Sequence, residues 1–118
     1  MTTLRTEAGS TSPPDAVAPI RIRARAQGEV TEARVLMPHP MESGFRTDEE
    51  GETLRAHYIT SVQISVEGRT VLEATMSPAV SKDPLLYFRF RHAKPGERIR
   101  VTWVDNRGTR RVDEALIS

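Results

Sequence analysis

The sequence predicts an all-β fold, an immunoglobulin-like antiparallel sandwich of about seven strands. Three observations carry that expectation. Apolar residues recur at every second position through most of residues 20–117, the period of a half-buried strand. Turn-forming residues separate these stretches at short intervals. No stretch carries a helical period. A closed barrel is the second choice.

The elements follow in order. Residues 1–19 are rich in Thr, Ser, Pro and Ala, have little to bury, and read as a disordered tail. Residues 20–118 form the domain. Ile20, Ile22, Ala24 and Ala26 alternate with Arg21, Arg23 and Arg25, and Gln27-Gly28-Glu29 makes a turn. Ala33, Val35 and Met37 form the next apolar row, which Pro38 and Pro40 end because proline cannot donate to a ladder. Val62, Ile64 and Val66 face one way. A three-residue loop Glu67-Gly68-Arg69 then sets Leu72 opposite Ile64, keeping Leu72, Ala74 and Met76 on the same side. Leu86, Phe88 and Phe90 lead to a turn at Lys94-Pro95-Gly96. Ile99, Val101 and Trp103 lead to another at Asp105-Asn106-Arg107-Gly108, and a last strand runs to Ile117 with weaker alternation. Trp103, in register with Val101 and Ile99, is expected to anchor the core. Residues 38–57 make an unusually long connection for a small sandwich, with a small hairpin expected around Asp48-Glu49-Glu50-Gly51.

Composition limits function. The 118 residues suffice for one domain, and 37% hydrophobic content supports an ordinary core. Seventeen basic against sixteen acidic residues leave a net charge of +1, and aromatics make up 5%, a balance that points away from nucleic acid. No apolar run approaches the roughly 18–20 residues of a membrane span, so no membrane partner is expected. The absence of cysteine excludes disulfides, thiolate metal sites and a thiol nucleophile on this chain. The first residues lack a hydrophobic segment of signal-peptide kind, which reads as cytoplasmic or as export together with a partner.

No constellation points to catalysis, a cofactor or a metal. His39, His57 and His92 are not at metal-ligand spacing and read as unrelated surface or edge residues; a metal-dependent enzyme using the three is the alternative, and it would need these scattered ligands to converge in space. The carboxylates at Asp48-Glu49-Glu50 and Asp113-Glu114 read as a solvated loop and a strand edge, without the enclosure that separates two carboxyl pKa values. The rows Arg21, Arg23 and Arg25, Arg89 with Arg91, and Arg98 with Arg100 could serve an anion-binding module, since guanidinium forks match oxyanions. The plainer expectation is a solvated sheet face interspersed with Glu and Asp. Two segments lie outside the strand pattern: Met37-Pro38-His39-Pro40-Met41 and Met76-Ser77-Pro78-Ala79-Val80. They either cap the sandwich or bind a protein.

The same segments carry a family likeness. Ile20-Arg21-Ile22-Arg23-Ala24-Arg25 with Gly28-Glu29-Val30-Thr31-Glu32, then Leu36-Met37-Pro38-His39-Pro40-Met41-Glu42-Ser43-Gly44, resemble SoxZ, the small subunit of the bacterial Sox sulfur-oxidation carrier. So do Ala56-His57-Tyr58-Ile59, Ser77-Pro78-Ala79-Val80-Ser81-Lys82-Asp83-Pro84, Val101-Thr102-Trp103-Val104-Asp105-Asn106-Arg107-Gly108 and Asp113-Glu114-Ala115. The resemblance covers about residues 20–118. It implies a non-catalytic scaffold that pairs with SoxY as a heterodimer or heterotetramer. SoxY holds sulfur on the cysteine of a flexible C-terminal arm while periplasmic Sox enzymes act on it. The resemblance also implies a periplasmic location, reached by export with signal-bearing SoxY. The partner-facing residues expected on this reading are His39, Pro40, Met41, Glu42 and Gly44 in one segment, and Ser77, Pro78, Ala79, Val80, Ser81 and Pro84 in the other. Met41, as a loop position, is expected to lie outside the core.

Overall fold

A computed structural model describes residues 18–118. The expected tail over residues 1–19 lies outside these except for Ala18 and Pro19. The described residues contain seven strands and no helix: β1 (Arg21–Gln27), β2 (Val30–Leu36), β3 (Ile59–Val66), β4 (Arg69–Thr75), β5 (Leu85–Arg91), β6 (Arg98–Asp105) and β7 (Arg110–Leu116). They form two antiparallel sheets, one ordered β1-β2-β5 and the other β4-β3-β6-β7. The all-β sandwich read from the sequence is therefore present. The chain changes sheet after β2, β4 and β5, so the central pairings β2–β5 and β3–β6 join strands distant in sequence.

Local chemistry sets the register. The expected three-residue loop is corrected to two residues: Arg69 is already paired with Val66, and Glu67 and Gly68 both take positive φ, 48° and 82°, the pattern of a type I′ hairpin turn. Such a turn pairs Val66 with Arg69 and Ser65 with Thr70, and continued unbroken it would set Ile64 against Val71. A bulge between Ile64 and Ser65 shifts the register by one, so Ile64 lies opposite Leu72 as the apolar pattern demands. The bulge keeps Leu72, Ala74 and Met76 turned toward the core.

The core fills from both inner faces. Ala33, Val35 and Met37 from the first sheet meet Val62, Ile64, Val66, Ile99, Val101 and Trp103 from the second, all nearly inaccessible. One flank is closed by the chain end: Ser118 N–H donates to the Ala24 carbonyl and Ala26 N–H to the Ser118 carbonyl, tying the residues after β7 onto β1. On the other flank β4 and β5 are both edges. Their inward residues Leu72, Ala74, Leu86, Phe88 and Phe90 stay half-buried, with the two phenylalanines stacked 5.8 Å apart.

Trp103 is 1% exposed and among the largest fully buried side chains, as its alternation with Val101 and Ile99 requires. Trp103→Ala is expected to lower unfolding free energy by about 3–5 kcal/mol. Urea melts of the two proteins check this; a change below about 1 kcal/mol would show that the cavity collapses.

Candidate functional site

The two segments singled out in the sequence meet at one end of the sandwich. Met37 N–H donates to the Pro84 carbonyl and so prolongs the β2–β5 ladder past Leu36. One step on, His39 N–H donates to Asp83 Oδ1 (2.9 Å), and Asp83 N–H donates back to the His39 carbonyl (3.0 Å). Residues 39–44 and 77–84, far apart in sequence, thereby become one continuous surface. Each is braced within itself. Ala79 N–H donates to Ser77 Oγ and Val80 N–H to the Ser77 carbonyl, a tight turn with Pro78 at its first corner. Glu42 exchanges two backbone bonds with His57 and receives both arms of the Arg46 guanidinium at 2.9 and 2.7 Å. Those guanidinium bonds hold the Glu42 carboxyl below its ordinary range.

The long connection is a hairpin excursion. Glu42 bridges His57 and Thr47 bridges Thr53. At its tip Asp48 Oδ1 accepts Glu50 N–H and Glu52 N–H, the turn expected from Asp48-Glu49-Glu50-Gly51. At its neck Gly44 has φ 91°, and a Cβ there would sit 3.2 Å from the Ala56 Cβ, so only glycine lets the two arms approach this closely. Asn106 fastens the base, taking Tyr58 N–H on Oδ1 and donating Nδ2–H to the Ala56 carbonyl.

Burial divides the candidate residues. Pro40, Ser77, Ala79 and Ser81 are exposed; Glu42, Gly44, Pro78 and Val80 are half-buried; His39, Met41 and Pro84 are buried. The expectation that Met41 lies outside the core is corrected. At φ 48° its backbone turns the chain inward behind Pro40. The side chain enters the core cluster at 6% exposure, and its sulfur accepts Ile59 N–H at 3.3 Å.

Beneath this surface lies a constellation that sequence spacing hid. His39 Nε2 and His57 Nε2 both contact Asp105 Oδ2, at 3.1 and 2.8 Å. The two rings meet edge-on at 4.6 Å, and Trp103 packs edge-on against His39 at 5.0 Å. The reading of unrelated surface histidines therefore fails for two of the three: His39, His57 and Asp105 are all buried, and only His92 is exposed. The missing signal was long-range pairing. Ile59 lies opposite Asp105 in the β3–β6 ladder, which puts the residues just before β3 beside the end of β6.

Proton placement defines what this cluster can do. Met41 N–H donates to His39 Nδ1 at 3.0 Å, so Nδ1 carries no proton. In a neutral imidazole the proton then sits on Nε2 and is donated to Asp105. His57 Nε2–H donates to the same oxygen, while Asp105 Oδ1 accepts Arg107 N–H and Thr109 N–H. The three side chains offer ligand atoms within 4.8 Å of one another, a set of residue types that can hold a transition metal. Ligation through His39 Nε2 would require an imidazolate, because Nδ1 is committed to an amide. The geometry is that of a hydrogen-bonded brace. Burial on its own would raise the Asp105 carboxyl, but the bonds from His39, His57 and the two amides outweigh it and hold the group below its ordinary value. For His39, burial pushes the imidazole below 6.5, more than the Asp105 hydrogen bond lifts it, and the neighbouring His57 and Arg107 add to the lowering.

Comparison with known proteins gives a family and a fold. The family model described as Sulphur oxidation protein SoxZ matches residues 20–115. No curated protein matches. Among solved structures, a superoxide reductase in the oxidised state is similar at TM-score 0.61 and 17% identity, covering 92% of this chain and 94% of that one. A hypothetical protein from Pyrococcus horikoshii OT3 is similar at TM-score 0.59 and 18% identity, covering 92% and 95%. The superoxide reductase (neelaredoxin) from Archaeoglobus fulgidus in the reduced form is similar at 0.57 and 22%, covering 84% and 88%. At these identities the likeness is one of fold alone.

Two outcomes follow from the brace. A histidine with a depressed folded-state pKa contributes stability that is complete above its unfolded value and is lost as pH falls below it; Asp105 does the same lower down, below 3.8. Melting temperature should therefore fall between about pH 7 and pH 5, and His39→Gln should flatten that slope. An unchanged slope in the variant would remove His39 as its source. Met41→Ala should cost about 2–5 kcal/mol, and Met41→Asp more, because it also buries an unpaired carboxylate. Chemical denaturation of the isolated domain measures both; native-like stability of the Asp variant would place Met41 outside the core.

Proposed function

The chain belongs to the SoxZ family, the sulfur-oxidation proteins whose model matches residues 20–115, and from that premise we propose that it is the non-catalytic scaffold half of a SoxYZ-type sulfur carrier. In this reading it pairs with a SoxY-like subunit whose C-terminal cysteine arm holds the sulfur. The pair works in the periplasm, exported on the signal of the partner, and meets the other Sox enzymes as a complex. The lack of any cysteine suits the scaffold role, because the chain then offers no thiol to exchange with the sulfur-bearing one.

The observation that carries the pairing reading is the paired bonding of His39 with Asp83. It welds residues 39–44 to residues 77–84 and holds both in shape. A preformed surface loses less conformational entropy on association than one that must order first. The exposed members Pro40, Ser77, Ala79 and Ser81, with the half-buried Glu42, Gly44, Pro78 and Val80, would make the contact. His39, Met41 and Pro84 support it from below.

A bulky charge placed on this surface tests the proposal. Ala79→Arg changes an exposed turn residue and should leave the domain folded, while weakening association with the SoxY-like subunit by about 2 kcal/mol or more if Ala79 lies at the centre of the contact. Calorimetric titration of the two purified subunits reads this directly. Unchanged affinity for both Ala79→Arg and Ser81→Arg would move the interface away from this end of the sandwich.

A further inference from the structure

The outer face of the β1-β2-β5 sheet is charged in one sense. Its outward strand positions hold Arg21, Arg23, Arg25, Arg34, Arg89 and Arg91, all exposed, and one acid, Glu32. Six of the chain's seventeen basic residues thus share a face with one of its sixteen acidic ones, although the whole chain is nearly neutral. The expected interspersion with Glu and Asp is absent from this sheet. It belongs to the other one, where Arg98 and Arg100 both reach Glu114. Glu32 pairs with Arg89 at 3.0 Å and leaves the other five arginines without an acidic partner among the described residues.

The register makes this charge costly. Arg23 lies directly opposite Arg34 across the β1–β2 ladder, an arrangement that is destabilising unless something else supplies negative charge. The face also has an apolar end. Leu36 lies opposite Leu85, and both stand beside Tyr87, whose ring lies under the Arg34 guanidinium at 5.3 Å. Leu85 is 63% and Tyr87 50% exposed. Arginine and tyrosine around a small apolar patch are the residue types enriched where proteins meet, and arginines spread over three strands suit a folded surface better than a small ion.

We propose that this sheet face is a second docking surface, separate from the pairing surface, and that its occupant is the acidic face of another protein. Charge complementarity would set its orientation and speed its capture. This inference goes beyond the scaffold reading and does not need it.

The test uses the complex of this chain with its SoxY-like subunit, titrated with a short polyglutamate peptide. Saturable binding is expected, weakening about tenfold or more as salt rises from about 0.02 to about 0.3 M. A variant combining Arg23→Glu, Arg34→Glu and Arg91→Glu should bind the peptide at least about tenfold more weakly while pairing normally. Arg23→Glu alone should leave the melting temperature unchanged or higher, because it turns a like-charge cross-strand pair into an opposite-charge one. Equal peptide binding by the triple variant overturns the proposal. So does tighter binding of duplex DNA than of polyglutamate, or loss of pairing with the SoxY-like subunit in the triple variant, which would make this face part of the pairing interface. If the unsubstituted chain does not pair at all, the scaffold reading fails on its own, and the same titration runs on the chain alone.

Discussion

At the end of the sandwich where residues 38–57 leave and rejoin the sheets, the structure hangs on one carboxylate. Asp105 closes β6, and its two oxygens accept four hydrogen bonds: from His39 and His57 on one, and from the amides of Arg107 and Thr109 on the other. The two amides shape the turn into β7. The two imidazoles come from the two ends of the connection that carries the chain from the first sheet to the second. A single charge therefore fixes the exit from β2, the entry to β3 and the β6–β7 turn relative to one another. Burying an ion is expensive, and leaving it short of partners more so. Here each oxygen is saturated, so the cost of burial is offset by charge-assisted bonds.

That anchor explains how so long an excursion as residues 38–57 is held in one shape. Its ends are pinned at His39 and His57, its neck closes at Gly44 against Ala56, and Asn106 holds its base to the β6–β7 turn. Asp83 then extends the same order to the second segment through the His39 backbone. The chain of support runs from a buried carboxylate, through two imidazole rings, to the surface residues above. Phe45, 89% exposed beyond the neck, is the large apolar side chain that this framework leaves uncovered.

The strands were legible because a two-residue period states both the element and the face it buries; Ile99, Val101 and Trp103 could be placed inward from spacing alone. The Ile64–Leu72 register was also legible, although the bulge that produces it was not, since a bulge leaves no residue type of its own in this hairpin. The tip of the excursion was marked by Asp48 and Gly51. The histidine cluster was not legible. Its members become neighbours only through the β3–β6 pairing, and nothing local at His39, His57 or Asp105 announces which strands will be adjacent. Met41 misled for a related reason. Its place between a proline and a polar run says loop, while a positive φ at that residue, which sequence does not show, turns it into the core.

The cluster also shows why residue type is a weak guide to chemistry. Two histidines on an aspartate have the composition of a catalytic relay. A general base, though, needs a ring nitrogen with a free lone pair facing a reactant. In His39 that lone pair is spent on the Met41 amide, and both Nε2 protons are spent on Asp105. Within the cluster His57 Nδ1 is the one ring nitrogen with no hydrogen-bond partner among the described residues, and the His57 side chain is 10% exposed. Both nitrogens of His39 are thus committed, and the bonds that occupy them are among those that shape the surface above. On the proposed scaffold reading that arrangement would serve association: the strongest polar interactions of this end fix the geometry of the surface that a partner would meet.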